Sequence, residues 1–143
     1  MEYIIYCDES SSDGPKFSDF FGGCMVSSKD LHIVEDALNV KKEELHLFSE
    51  IKWTKVTEQY LERYIQIVDL FFDFIRAGKI KVRIMFRRNE DQPTNTQARY
   101  NSEDKYFKLY YQFLKNSFGL KDLPPEQGDV FVRIYLDQLP DTK

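Results

Sequence analysis

The sequence predicts an α/β domain with a mixed sheet and helices, and three patterns in the chain predict it. Residues 79–87 alternate basic and apolar side chains with a period of two, which is typical of a strand with one buried and one solvated face. Residues 57–77 carry apolar side chains at helical spacing and are followed by Gly78, a common helix terminator. The apolar runs 3–7 and 129–136 are typical of buried strands.

The chain begins with two predicted strands and a helix. Residues 3–7 and 20–26 are rich in β-forming side chains, and the polar stretch between them is a loop longer than a tight turn. Ser27 and Asp30 have the spacing of a capping box, which predicts that the first helix begins here.

The second half of the chain alternates helices and strands. Thr57 is the predicted cap of a second helix, which would pack on the sheet, and the third strand follows at residues 79–87. A third helix begins at Asn101 or Ser102, and the last strand, apolar enough for a central position, ends at Leu136. The predicted order therefore inserts two helices between strands two and three.

Length, composition and charge limit the classes of protein. The 143 residues are 42% hydrophobic, enough for one domain over residues 1–143 with an ordinary core. The net charge of −4 argues against a uniformly basic surface but leaves room for a local basic patch. Neither a leader peptide nor an apolar run of about 20 residues is present, so we expect a cytoplasmic protein that does not contact a membrane.

The cysteines and histidines do not predict a metal site. Cys7 and Cys24 lie in apolar strands without a metal-binding spacing, so we expect buried, reduced thiols. His32 and His46 are fourteen residues apart on or near a helix, which favours two solvated side chains over a shared ion.

Acidic residues stand where two strands end. Asp8 follows the first strand and Asp137 the last, and the third helix provides a crossover that allows these strands to be parallel neighbours. The two carboxylates would then lie at one sheet edge, about 4 to 8 Å apart, where a divalent cation relieves their repulsion. Glu50, between the first two helices, is a candidate third ligand. Asp8 and Asp137 could also be turn residues, and Glu50 and Lys52 could be a solvated face, with Trp53 as a core anchor.

Several short motifs in this order resemble those of a known family. They are Tyr6 to Ser10, Phe21 to Gly23, Glu50 to Trp53, Tyr110 with Tyr111, and Tyr135 to Asp137. Together they are similar to the domain-of-unknown-function 3800 family of microbial and phage proteins, which is marked by an N-terminal Tyr-x-Asp-Glu-Ser-Gly motif.

The resemblance covers essentially the whole chain and implies an RNase H-like fold. Ser11 replaces the glycine of the family motif. The family continues with a further helix that carries another acidic residue. The resemblance therefore implies either a C-terminally truncated domain or the lack of one ligand.

The resemblance also implies a nuclease-like metal site. Asp8, Glu50 and Asp137 match the acidic positions of RNase H-like enzymes, and Glu9 would be an outer or alternate ligand. Two Mg²⁺ or Mn²⁺ ions roughly 4 Å apart, bridged by carboxylates, neutralise the attacking and leaving oxygens of a phosphodiester. The implied function is metal-dependent hydrolysis of nucleic acid.

Basic residues are the candidates for phosphate contacts. Lys52 follows Glu50, and the third strand provides a basic face with Arg83, Arg87 and Arg88, although a solvated face is the commoner origin of this pattern. Two further functions stay open. One is a catalytically silent RNase H-like module that binds nucleic acid or a protein partner, and the other is an interaction domain whose acidic residues only make turns.

Overall fold

The structure, a computed structural model, describes residues 1–10, 14–91, 102–122 and 128–137. Its strands are β1 (Glu2–Ser10), β2 (Phe17–Ser27), β3 (Ile80–Arg88) and β4 (Phe131–Leu136), and its α-helices are α1 (Ser28–Glu44), α2 (Leu61–Arg76) and α3 (Ser102–Ser117). The strands form one sheet in the order β3-β2-β1-β4. The predicted α/β class, with a mixed sheet and helices, is confirmed. None of the described helices is long and apolar enough to cross a membrane.

β1 and β4 are parallel neighbours, as predicted. Their register runs from Glu2 opposite Phe131 to Cys7 opposite Leu136. The prediction that β4 is a central strand was wrong for the described strands, because it lies at the sheet edge. Its apolar residues are divided between two faces, and Phe131 is largely exposed.

The chain divides into two compact units. One comprises Met1–Met25 together with Val82–Lys143, and the other is Val26–Lys81. The first contains most of the sheet and α3, and the second contains α1 and α2. That residues 1–143 form a single domain stays a prediction.

The core of the first unit lies between the sheet and α3. Alternate β1 residues, Ile5 and Cys7, pack in one cluster with Phe21 of β2 and with Phe113 and other aromatic residues of the α3 region. Gly23 permits this packing, because a Cβ there would lie 3.0 Å from Phe113 Cε1 and closer still to a second phenylalanine ring.

The second unit is organised by a helix cap and a small core. Ser27 accepts a hydrogen bond from the Asp30 N–H at 3.3 Å and donates to its carboxylate at 2.8 Å, which confirms the predicted cap. Lys79 Nζ lies 2.6 Å from the same carboxylate and holds the pKa of Asp30 below its usual value. Tyr64 and Ile67 of α2 are buried together with Leu47. The partly buried Leu38 and Val56 pack against this cluster.

The start of α2 differs from the prediction. A 3₁₀ turn at Glu58–Tyr60 precedes the helix, and Thr57 makes no side-chain capping bond. The helix ends before Gly78, whose positive φ of 71° explains why glycine stands there. Trp53, the core anchor in the alternative interpretation of Glu50 and Lys52, is 87% exposed, so this part of the alternative was wrong.

The predicted faces of β3 hold only at its start, where Ile80 is buried as expected, and are wrong further along the strand. Met85 packs on the core and Arg87 is half-buried, both on the face that the alternation assigned to solvent. Ile84, on the expected buried face, is 68% exposed, and Phe86 is 48% exposed, although its ring lies 4.9 Å from that of Phe17 and 5.8 Å from that of Phe20. Because β3 is an edge strand of the described sheet, its apolar residues are not all covered.

Candidate functional site

Two exposed carboxylates lie one residue beyond the last registered pair of β1 and β4, which is Cys7 with Leu136. Asp137 directly follows β4, as predicted, but β1 continues to Ser10, so the prediction that Asp8 follows the first strand was wrong. Neighbouring parallel strands are about 4.8 Å apart, and side chains at matched positions leave the sheet on the same face. We call Asp8 and Asp137 the acidic pair.

The residues preceding the acidic pair show that the two strands share this face. Tyr6 and Tyr135 stack with ring centroids 5.2 Å apart and an interplanar angle of 16°. Both rings are partly exposed. Because side chains two residues apart on a strand lie on one face, the acidic pair extends the surface that begins with these rings.

A cation belongs to the same face of β4. Arg133 stands two residues before Tyr135, and its guanidinium donates to Glu2 Oε1 at 2.7 Å. A hydrogen bond to Tyr135, with the carboxylate of Glu2 nearby, raises the pKa of Arg133. The face thus presents an aromatic stack with a positive charge on one side and two carboxylates on the other.

Asp8 is oriented by its own backbone. Its Oδ1 accepts the N–H of Glu9 at 2.8 Å. This bond involves one carboxylate oxygen, and the side chain is exposed. This bond fits the alternative in which Asp8 makes a local turn contact. It also fits a cation bound at the second carboxylate oxygen of Asp8.

Glu9 lies on the opposite face of β1 from Asp8. One oxygen of its carboxylate accepts the hydroxyl of Tyr110 at 2.5 Å and the other accepts the hydroxyl of Tyr106 at 3.2 Å. We call these three residues the tyrosine clamp. Burial raises the pKa of both hydroxyls, and the bond to the Glu9 carboxylate raises that of Tyr110 further. The predicted outer metal ligand is therefore held against α3 and is separated from the acidic pair by the sheet.

The tyrosine clamp was not predicted, although the sequence contained its signal. The period of two in β1 places Glu9 on the face that contains Cys7. Tyr106 and Tyr110 are four residues apart on α3, so they lie on one helix face. A carboxylate on a core face requires donors, and tyrosine hydroxyls among the aromatic residues can provide them.

Glu50 belongs to the second compact unit. Its carboxylate forms an ion pair with the Lys52 ammonium at 2.9 Å, and both side chains are exposed. Within the described residues, no three His, Cys, Asp or Glu side chains form a group that could hold a metal ion. Glu50 as a ligand and Lys52 as a phosphate contact stay predictions.

The other predicted phosphate contacts have partners within the protein. Arg87 pairs with Asp19 at 2.7 Å, Arg88 with Glu90 at 3.1 Å, and Arg83 donates to a backbone carbonyl at 3.0 Å. Arg87 is also the most enclosed of the three arginines, and its ion pair joins β3 to β2. Arg87 thus links β3 to β2 and Arg83 links β3 to the end of α3, whereas the exposed Arg88–Glu90 pair is local in the chain.

The two cysteines are free thiols, as expected, but the prediction that both are buried holds only for Cys7. Cys7 is buried in the core and Cys24 is half-buried. Burial raises the pKa of each thiol to about 11, and the charge of Glu9 adds to the effect at Cys7. Raised pKa values keep both thiols protonated and unreactive near neutral pH.

Comparison of the chain with protein-family models, with curated proteins and with solved structures finds no match.

Proposed function

We propose that the protein hydrolyses phosphodiester bonds of nucleic acid at the acidic pair with Mg²⁺ or Mn²⁺. The parallel register of β1 and β4 is the observation that carries this proposal, because it brings Asp8 and Asp137 to matched positions. Two carboxylates about one strand spacing apart repel each other, and a shared cation would remove that cost.

The donor atoms of the acidic pair fit a hard divalent cation. Mg²⁺ and Mn²⁺ prefer carboxylate oxygens and retain several waters, so an exposed site suits them. When bound, such an ion neutralises phosphate charge and lowers the pKa of a water. Asp8 would hold the cation with its position fixed by the Glu9 N–H, and Asp137 would hold it from β4.

The order of the sheet supports an RNase H-like fold as part of the proposal. α3 precedes β4 in the chain, and β4 then lies beside β1 as its parallel neighbour. This crossover is the connection that the family resemblance implies.

The face of the acidic pair supports nucleic acid as the substrate. Aromatic rings contribute to the binding of single-stranded nucleic acid by stacking on its bases. Tyr135 lies on β4, which is an edge strand of the described sheet. Arg133 provides a guanidinium two residues further along the same face. A strand that stacks at Tyr135 would place a phosphate near Asp137, two residues away at about 3.3 Å per residue.

The second candidate function is a catalytically silent module that binds nucleic acid or a protein partner. It is favoured by the positions of Glu9 and Glu50, each of which is engaged by other side chains. The acidic pair alone would then bind a cation without assembling a hydrolytic site.

Metal binding is the first test. We expect Mn²⁺ to raise the melting temperature, because a ligand at one hundred times its Kd stabilises the folded state by about 2.7 kcal/mol. Asp8→Asn and Asp137→Asn should each remove this shift, whereas Asp122→Asn, an exposed aspartate in the same compact unit, should retain it. A full shift in both acidic-pair variants would contradict the proposed site.

Cleavage is the second test. The protein should cut labelled single-stranded DNA or RNA in Mn²⁺, and Asp137→Asn should abolish cutting while binding is retained. Binding without cutting in any divalent metal would favour the silent module. Neither binding nor cutting would favour an interaction domain whose acidic residues make turns.

A further inference from the structure

An exposed apolar stripe runs along α2 in the second compact unit. Its members are Leu61, Ile65, Val68 and Phe72, with spacings of four, three and four residues. All four are exposed, although the adjacent side of the helix contributes Tyr64 and Ile67 to the core. We call these four residues the α2 stripe. Alternating spacings of three and four are typical of a helix that packs along a partner helix.

A groove adjoins the α2 stripe. A cavity of about 290 Å³ is lined by three stripe residues and by Ile51, Trp53 and Val56 from the segment before the helix. A second cavity of about 260 Å³ extends along Val68 and is lined by apolar residues and Lys42. Trp53, 87% exposed at the rim, belongs to this contiguous apolar surface, and such patches mark interaction sites.

The charges on the two sides of the α2 stripe are opposite. Glu62 and Asp69 are exposed on the side of α2 away from the groove, while Lys42 and Lys52 line the groove. Lys52 already pairs with Glu50, so Lys42 is the groove cation that an approaching surface would meet. The surface is therefore apolar at the centre, acidic on one flank and basic on the other.

We infer that a second copy of this chain docks on the α2 stripe. A two-fold axis parallel to α2 makes the two stripes face each other and sets the acidic flank of each copy against the basic flank of the other. A two-fold axis across the helices would set like charges together. The surface is thus self-complementary in both apolar contact and charge, and it predicts a parallel pair of α2 helices in a homodimer.

The inference is independent of the proposed hydrolysis, because all of its residues belong to Val26–Lys81 and the acidic pair belongs to the other unit. Its failure would leave the metal and cleavage tests unchanged.

The oligomeric state tests the inference. Light scattering and sedimentation of the full chain over a wide range of concentration should show a monomer–dimer equilibrium. Val68→Glu should raise the dimer dissociation constant at least about 30-fold, the effect of losing one central contact and burying a charge. The matched control is Val40→Glu on α1, because Val40 is also an exposed helical valine but lines neither cavity. Circular dichroism should show that both variants fold.

Charge reversal distinguishes a second copy from another occupant. Asp69→Lys and Lys42→Glu should each weaken the dimer, and the double variant should recover much of the loss, because each copy supplies both charges. A monomer at every concentration would overturn the inference. A dimer that Val68→Glu and Val40→Glu weaken equally would also overturn it. The inference would likewise fail if the losses of Asp69→Lys and Lys42→Glu simply added in the double variant.

Discussion

Removal of one hydroxyl from the tyrosine clamp should measurably destabilise the protein. Tyr110 is 4% exposed and donates to the Glu9 carboxylate at 2.5 Å. Tyr110→Phe preserves the ring contacts and leaves Tyr106 as the remaining hydroxyl donor at 3.2 Å. A hydrogen bond to a charged group contributes about 1.5 to 3 kcal/mol, so we expect a loss of that size in the free energy of unfolding. At about 3 °C per kcal/mol for a chain of this length, the melting temperature should fall by about 5 to 9 °C.

The neighbouring tyrosine provides the control for this measurement. Tyr111 is 57% exposed, so water can replace any partner of its hydroxyl, and a phenylalanine would keep the ring contact with the Lys115 ammonium at 5.0 Å. Tyr111→Phe should therefore change stability by no more than about 0.5 kcal/mol. Urea unfolding followed by circular dichroism measures both variants. Equal stability of Tyr110→Phe and Tyr111→Phe would refute the reasoning.

A double-mutant cycle identifies the partner. Glu9→Gln removes the charge but preserves the shape of the side chain. If Tyr110 acts through Glu9, the combined loss should fall short of the sum of the single losses by about 0.5 to 3 kcal/mol. Additive losses would show that the hydroxyl stabilises the fold through another contact.

Three further predictions concern packing and pH. Gly23→Ala should cost about 1 to 3 kcal/mol by overpacking, whereas Gly22→Ala, whose Cβ would meet its nearest atom at 3.9 Å, should cost much less; equal costs would contradict the packing argument. Because the pKa of Asp30 is lowered in the folded state, Asp30 contributes stability above its unfolded pKa near 3.9, and this stability is lost as the pH falls below that value. Lys79→Met should therefore make the free energy of unfolding less dependent on pH in acid. An unchanged dependence would exclude the Asp30–Lys79 pair as its cause. The pKa of Cys24 is raised from 9.0 to about 11, so the free energy of unfolding should fall as the pH rises through this window. Urea unfolding of Cys24→Ala should show a smaller fall. An equal fall would contradict the assignment of the effect to Cys24.

The sequence predicted those parts of the fold that depend on local pattern and chain connection. The Ser27 cap follows from spacing, and the end of α2 follows from Gly78. The parallel neighbours β1 and β4 follow from a helical crossover, which also brought Asp8 and Asp137 to matched positions.

The incorrect predictions concern which surfaces are covered. A period of two assigns side chains to alternate faces of β3 but does not state which face meets another element, so Ile84 was wrongly expected to be buried. The large apolar side chain of Trp53 favours a core position, but its neighbours form a groove that leaves it outside. Coverage depends on contacts between distant elements, which a single sequence does not specify.

The tyrosine clamp also bears on how the acidic pair is held. Asp8 and Glu9 are adjacent, so any movement of the end of β1 displaces both side chains. Two hydroxyls fix the Glu9 carboxylate from α3, and the Glu9 N–H in turn donates to Asp8. A carboxylate that must hold a cation in a defined position benefits from such support, because a site held rigidly loses less freedom on binding. The clamp that holds Glu9 on the opposite face of β1 would therefore also support Asp8, which the proposed site requires.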